Sequence, residues 1–273
     1  MSRENPKSSE PSQHPGDRIA KVIARSGLCS RRDAERWVEA GRVTVNGRRV
    51  DSPALNVTDD DEVKVDGAVL PRLEAPQIWR YHKPAGLITS HKDPEGRPTV
   101  FDKLPKELPR VISVGRLDYS SEGLLLLTND GAVARTLELP ETGWLRRYRV
   151  RAHGAVEQKA LDALGKGVVI EGVKYGAIEA QLDRTQGGNV WLTMGLREGK
   201  NREVRRVLEH LGLRVNRLIR ISYGPFQLGE LARGAVAAVP PKVLRDQLGS
   251  LLAQEPEAKR KELKKNARRR RKP

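Results

Sequence analysis

The chain has 273 residues with a single cysteine, and its 51 Lys and Arg against 35 Asp and Glu leave a net charge of +16. That length accommodates about two domains, each with its own core. A lone Cys29 excludes an internal disulfide and a cysteine zinc cluster and fits a reducing cytoplasm, while the cationic surplus points to a polyanionic partner, most simply a nucleic acid.

Residues 1–16 are rich in Ser, Pro and charge without an apolar core, so a disordered leader is expected rather than a signal peptide or membrane anchor. Over 17–25, Ile19, Ala20, Val22 and Ile23 recur at helical spacing before Ser26-Gly27. Ser30 caps a second helix, with Asp33 three residues on and an apolar stripe of Ala34, Trp37 and Val38. Residues 42–50 alternate on either side of Asn46-Gly47, the signature of a two-residue hairpin turn, and 61–65 add another strand. One helical face of this module carries Arg25, Arg31, Arg32 and Arg36, which suits either solvent or phosphate. Arg18-Ile-Ala-Lys, Gly27-Leu-Cys-Ser-Arg-Arg-Asp-Ala-Glu and Gly41-Arg-Val-Thr-Val-Asn-Gly47 together resemble an S4 domain, a small RNA-binding module. We therefore expect this domain over 17–76, closed by the proline-punctuated joint at 70–76.

A second domain is expected over 77–252. Residues 77–82 read as a strand ending in Lys83-Pro-Ala-Gly86, a turn that presents a lysine. The polar loop 90–99, with Lys92, Asp93 and Arg97, is either a surface excursion or a grip on a backbone. At the centre, 114–131 combines a polar loop holding Arg116 and Asp118 with four consecutive leucines. The leucines read as a strand buried on both faces, which fixes the loop at the edge of a core. Asp118 itself is either an ordinary turn residue or a functional group on a rigid mount.

A short helix over 132–139 follows, and then 145–152 alternates apolar and cationic residues with Tyr148 on the inner, Val150 side. A helix at 155–164 and strands at 168–170, 177–182 and 189–194 lead to a polar loop that becomes a helix with Val204, Val207, Leu208 and Leu211 buried. Lys200, Arg202, Arg205 and Arg206 crowd the first turns of that helix against its dipole, which implies an anionic neighbour, an internal carboxylate or a phosphate. A strand at 215–223, a helix at 242–252 and a basic, disordered tail at 253–273 complete the chain.

The five histidines are scattered, no P-loop or dinucleotide fingerprint is present, and the available chemistry is a carboxylate with basic residues and no metal or cofactor. Lys83-Pro-Ala-Gly86, Gly115-Arg-Leu-Asp118 with Gly123-Leu-Leu-Leu-Leu-Thr-Asn-Asp-Gly131, Tyr148-Arg-Val150 and Glu198-Gly-Lys-Asn-Arg-Glu-Val-Arg-Arg206, in that order, resemble the RsuA-like pseudouridine synthases. The resemblance implies an α+β fold, the S4 domain followed by a larger mixed, mainly antiparallel sheet with flanking helices. It implies that Asp118 is the catalytic carboxylate, Tyr148 the ring that stacks on the target uracil and Arg205 the partner of Asp118. Arg116 would enter the RNA helix where the base leaves, and Leu218 or Ile221 would wall the pocket. RNA contacts are expected from Arg31, Arg32, Arg36, Lys83, Arg97, Lys200 and Arg202. The implied reaction is cofactor-free isomerisation of a flipped uridine in ribosomal RNA by a cytoplasmic monomer, on free RNA or a pre-ribosomal particle. Length and the basic tail favour the large-subunit, RluB-like branch and 23S RNA over 16S. The rival reading is a noncatalytic S4-type RNA-binding or ribosome-assembly protein.

Overall fold

The computed structural model describes residues 16–71 and 74–252, so the expectations for leader and tail lie outside the described residues. The chain separates into two units between Ala75 and Pro76.

In the first unit a two-residue strand β1 (Asp17–Arg18) runs into α1 (Ile19–Arg25), and α2 (Arg31–Glu39) follows. The start of α2 is set by a reciprocal capping box: the Ser30 hydroxyl accepts from Asp33 N at 3.1 Å, and the Asp33 carboxylate accepts from Ser30 N at 3.3 Å. Strands β2 (Val43–Val45) and β3 (Arg48–Arg49) form the hairpin, with Asn46 and Gly47 at φ of 51° and 79° as a primed turn requires. Next come β4 (Asn56–Val57), which pairs β1, then β5 (Val63–Val65) and β6 (Ala68–Val69), giving a sheet of order β3-β2-β5-β6. Ile19, Ile23, Ala34, Val38 and Val43 fill the core, with Cys29 buried among them.

The second unit is built on nine strands: β7 (Ile78–Lys83), β8 (Ile112–Val114), β9 (Ser121–Thr128), β10 (Arg146–His153) and, beyond the separate hairpin of β11 (Val168–Ile170) and β12 (Val173–Tyr175), β13 (Ile178–Gln186), β14 (Asn189–Leu196), β15 (Arg214–Tyr223), β16 (Phe226–Gln227) and β17 (Val236–Ala238). The sheet order is β13-β14-β10-β15-β9-β7-β17, with β16 beside β15 and β8 beside β9. Among these strands only β15 and β9 run parallel. The helices are α3 (Gly131–Glu138), α4 (Gln158–Asp162), α5 (Glu203–His210) and α6 (Pro241–Leu252).

Every residue of β9 is buried, as the leucine run predicts. Leu124 and Leu126 pack into a core with α3 and α6, whereas Leu125 and Leu127 face Tyr81, Val100 and Leu117. A third core lies between the inner residues of β10, β14 and β15 and helix α5. Tyr148 packs against both this core and the one holding Leu117, so the two lie on the same face of the sheet. The short β16 and β17 are not apparent from the sequence pattern, because two or three residues carry no period of their own. The expected helix over 155–164 is shorter, α4 giving way to a 3₁₀ turn over Ala163–Lys166.

Candidate active site

Asp118 is half-buried in the loop between β8 and β9, and that loop is held from below by a lysine. Lys83, the last residue of β7, has no solvent exposure. Its Nζ donates to the carbonyls of Pro84 (3.1 Å), Asp118 (3.1 Å) and Ser121 (2.9 Å), with Tyr119 O at 3.5 Å. Burial pushes its pKa down to about 8, against the opposing charges of Asp118 and Glu122. The expected RNA contact from Lys83 is therefore corrected: a group sealed under the loop cannot reach a phosphate, and it fixes the backbone that carries Asp118. Further ties come from Ser121 N to Asp118 O (3.0 Å), Gly86 N to Tyr119 O (2.8 Å) and the Thr89 hydroxyl to Leu117 O (2.8 Å).

Arg205 reaches the same loop from α5. It is buried, and its Nη2 donates to the Ser120 hydroxyl at 3.0 Å and more weakly to Ser120 O at 3.5 Å, while Nη1 points to Val215 O at 3.4 Å. The expected ion pair with Asp118 is not formed in this structure; Ser120, two residues on, takes the guanidinium instead. Burial lowers the Arg205 pKa and Arg202 adds to this, whereas the Asp118 charge acts in the opposite direction. Arg205 thus lies within the field of Asp118 with its Nε buried and unpartnered.

Tyr148 stands in a row across the sheet, opposite Met194 on one side and Arg220 on the other; Arg220 lies opposite Gly123, and Gly123 opposite Lys83. It is half-buried and packs against two of the cores. Leu218 is buried in one of those cores and sits opposite both Val150 and Ser121. Ile221 is half-buried at the bulge where β15 has one residue more than β10. The arrangement is a carboxylate on a clamped loop, with a buried guanidinium bonded to the same loop at Ser120 and an aromatic ring packed against the core that holds Leu117. Among the described residues no three His, Cys, Asp or Glu side chains gather to hold a metal.

Residues 17–63 match the S4 domain, and 77–210 match the RNA pseudouridylate synthase family. A Rickettsia felis protein described as an uncharacterized RNA pseudouridine synthase is 47% identical over 227 residues, which cover 83% of this chain and 98% of that one. The chain belongs to the RNA pseudouridylate synthase family. The ribosomal large subunit pseudouridine synthase B of Pseudomonas aeruginosa is 43% identical over 80% of this chain and 58% of its own, and that of Salmonella typhimurium 42% identical over 80% and 77%. A crystal structure of a pseudouridylate synthase superimposes with a TM-score of 0.58 at 26% identity, over 84% of this chain and 99% of that one.

The remaining cations of this synthase differ in how free they are. Arg116, Arg31, Arg32 and Arg202 are exposed. Arg36 is exposed but paired with Asp33. Arg97 is held by Asp93 (2.8 Å) and Glu95 (2.8 Å) within its own loop, and the Arg97 hydrogen bonds pull the Asp93 carboxyl down to about 2. Lys200 bonds Glu198 (2.6 Å) and Lys174 O (2.7 Å), so the anionic neighbour implied by the sequence is an internal carboxylate in its case.

Residues without a sequence signal complete the site. Ser120 receives Arg205, and Arg220, buried across from Tyr148, donates from Nε to Leu124 O at 2.7 Å. On the opposite face of β9, the side of Leu124 and Leu126, Glu122 is buried between Arg217 (2.9 Å) and Arg233. Desolvation raises its pKa, but the hydrogen bonds from these two guanidiniums outweigh it and hold the carboxyl below its usual range.

Proposed function

We propose that this synthase converts a uridine of large-subunit ribosomal RNA to pseudouridine, with Asp118 as the catalytic carboxylate, Tyr148 as the platform for the extruded uracil and Arg205 as the cation at the loop. The observation that carries the reading is the Lys83 clamp: hydrogen bonds to the carbonyls of Asp118 and Ser121 fix the Asp118 loop, whose Leu117 lies in the core against which Tyr148 packs. In this isomerisation the N1 to C1′ bond breaks, uracil turns while bound and C5 bonds to C1′. Either attack of the carboxylate on C1′ or removal of the 2′ proton begins it. Extruding the base costs a few kcal/mol, and stacking on Tyr148, worth about 1–3 kcal/mol, offsets much of that.

The names of the Pseudomonas and Salmonella relatives support a large-subunit substrate, 23S RNA, over a small-subunit one. The S4 domain would add shape recognition of the RNA, and Arg116 would fill the gap left by the base. No described helix is long and apolar enough to cross a membrane, and we take the enzyme to act as a cytoplasmic monomer, since one chain carries all the groups named. Asp118→Asn should abolish pseudouridine formation while keeping RNA affinity within about threefold, because phosphate contacts and chemistry reside in different groups. Residual isomerisation by that variant, measured by mapping pseudouridine in ribosomal RNA, would remove Asp118 from the reaction and leave the RNA-binding reading in its place.

A further inference from the structure

The sheet face opposite Tyr148 and α5 presents cations that neither the fold nor the reaction uses. On β10, Val150 and Ala152 point into the core under α5, so Arg147, Arg149 and Arg151 point the other way, and all three are exposed. On β14 the same alternation turns Val190, Leu192 and Met194 inward and leaves Trp191 and Thr193 outward. Pairing sets Arg151 opposite Trp191 on one side and Arg217 on the other, and Arg184 of β13 also opposite Trp191.

Trp191 organises this face. The guanidinium of Arg149 lies 4.9 Å from its ring centroid and that of Arg184 5.5 Å, so both are held by cation–π contact rather than left to sample solvent. Carboxylates are few here. Glu179 lies 3.6 Å from Arg147, Asp183 accepts from the Thr193 hydroxyl at 2.9 Å, and Glu122 serves both Arg217 and Arg233. Among the described residues no carboxylate pairs with Arg149, Arg151 or Arg184. Outward residues two apart on a strand are roughly 6.5 Å apart, so Arg147, Arg149 and Arg151 line up as neighbouring like charges along β10.

We propose that this face is a second RNA-binding surface, which engages the phosphate backbone of the substrate RNA at a distance from the target uridine. Charge complementarity identifies the occupant: guanidiniums pre-oriented by an indole and unmatched by carboxylates suit phosphates, and relieve their mutual repulsion on binding. The contact is independent of base sequence, since phosphates are the same along the whole backbone. The inference rests on the reading that this chain acts on RNA, but not on the role of Asp118.

The test is a salt titration of binding to protein-free large-subunit RNA by the full-length protein and by Arg149→Gln/Arg151→Gln/Arg184→Gln. Each phosphate contact contributes about 0.7–0.9 to the slope of log K against log salt, so the triple variant should lose about two units of slope and bind at least tenfold more weakly at low salt. The corresponding triple Arg→Lys variant keeps the charge and should retain the slope. An unchanged slope in the glutamine variant would overturn the proposal and leave an acidic protein as the partner of this face. A lysine variant as weak as the glutamine one would also overturn it, since the loss would then follow from a disturbed sheet rather than from charge. Pseudouridine formation by the wild-type protein, assayed on the same RNA, reports separately on the enzymatic reading.

Discussion

An ammonium group with no access to water stays charged only if its donors meet acceptors, and the carbonyls around Lys83 supply them. Removing the amine leaves those carbonyls buried without a donor, and the loop that holds Asp118 relaxes. Lys83→Met should therefore slow turnover by about 100-fold, the scale of a displacement near 1 Å at a reacting group, with RNA affinity unchanged. The pH dependence has a definite sign. Because the folded pKa is lowered from 10.5 to about 8, the folded state binds fewer protons than the unfolded state between those values, and this residue's contribution to stability rises with pH across that window. Activity runs the other way, since deprotonation near pH 8 removes a donor from the clamp. Turnover measured against pH should fall above about 8, and wild-type turnover that stays flat well beyond that would exclude this control. Sequence motifs pick out Asp118, Tyr148 and Arg205, but they do not show that Lys83 is internal, because lysine is almost never fully buried. Nor do they show that Ser120 stands where the carboxylate was expected to meet Arg205, a matter of side-chain reach across elements distant in the chain.

The parallel contact of β9 with β15 brings two backbones together at Gly123, the first residue before the leucine run. A Cβ there would lie 2.3 Å from Arg220 O and 2.7 Å from Arg220 N, and Gly123 has φ of +101°. Gly123→Ala should combine backbone strain of about 1–2 kcal/mol with overpacking of about 1–3 kcal/mol. At roughly 2–4 °C per kcal/mol in a domain of this size, Tm falls on the order of 10 °C. Gly115→Ala is the control, because Gly115 also has positive φ, at +67°, but its Cβ would meet nothing within 4 Å. Thermal unfolding of the two should separate contact from strain, and equal losses would mean that the approach to Arg220 is not what requires glycine. Elements were legible wherever their cause is local: the capping box at Ser30, the Asn46-Gly47 hairpin and the leucine run each carry their signal within a few residues. The bulge beside Tyr148 and the added edge strand β17 depend on pairing with distant segments, so no short window of sequence contains them.

On the scale of the whole molecule, charge is distributed unevenly along the chain. Residues 259–272 hold ten basic residues against Glu262, nine of the sixteen net positive charges. The rest of the chain keeps seven, and it also holds the Asp118 loop and the Trp191 face. Charge in a run with few apolar residues binds phosphates by counterion release, which adds affinity at low salt and fades as salt rises. On the proposed reading, recognition of one uridine depends instead on groups that hold fixed positions around the base, Tyr148 and the Asp118 loop clamped by Lys83. Deletion of residues 259–273 should therefore weaken RNA binding most at low salt, reduce the salt dependence and leave the modified position unchanged. Mapping pseudouridine in ribosomal RNA from cells that carry only the truncated enzyme checks the last point. A new target uridine in those cells would mean that the run of lysines and arginines takes part in choosing the site, and that affinity and selectivity are not divided between tail and domains.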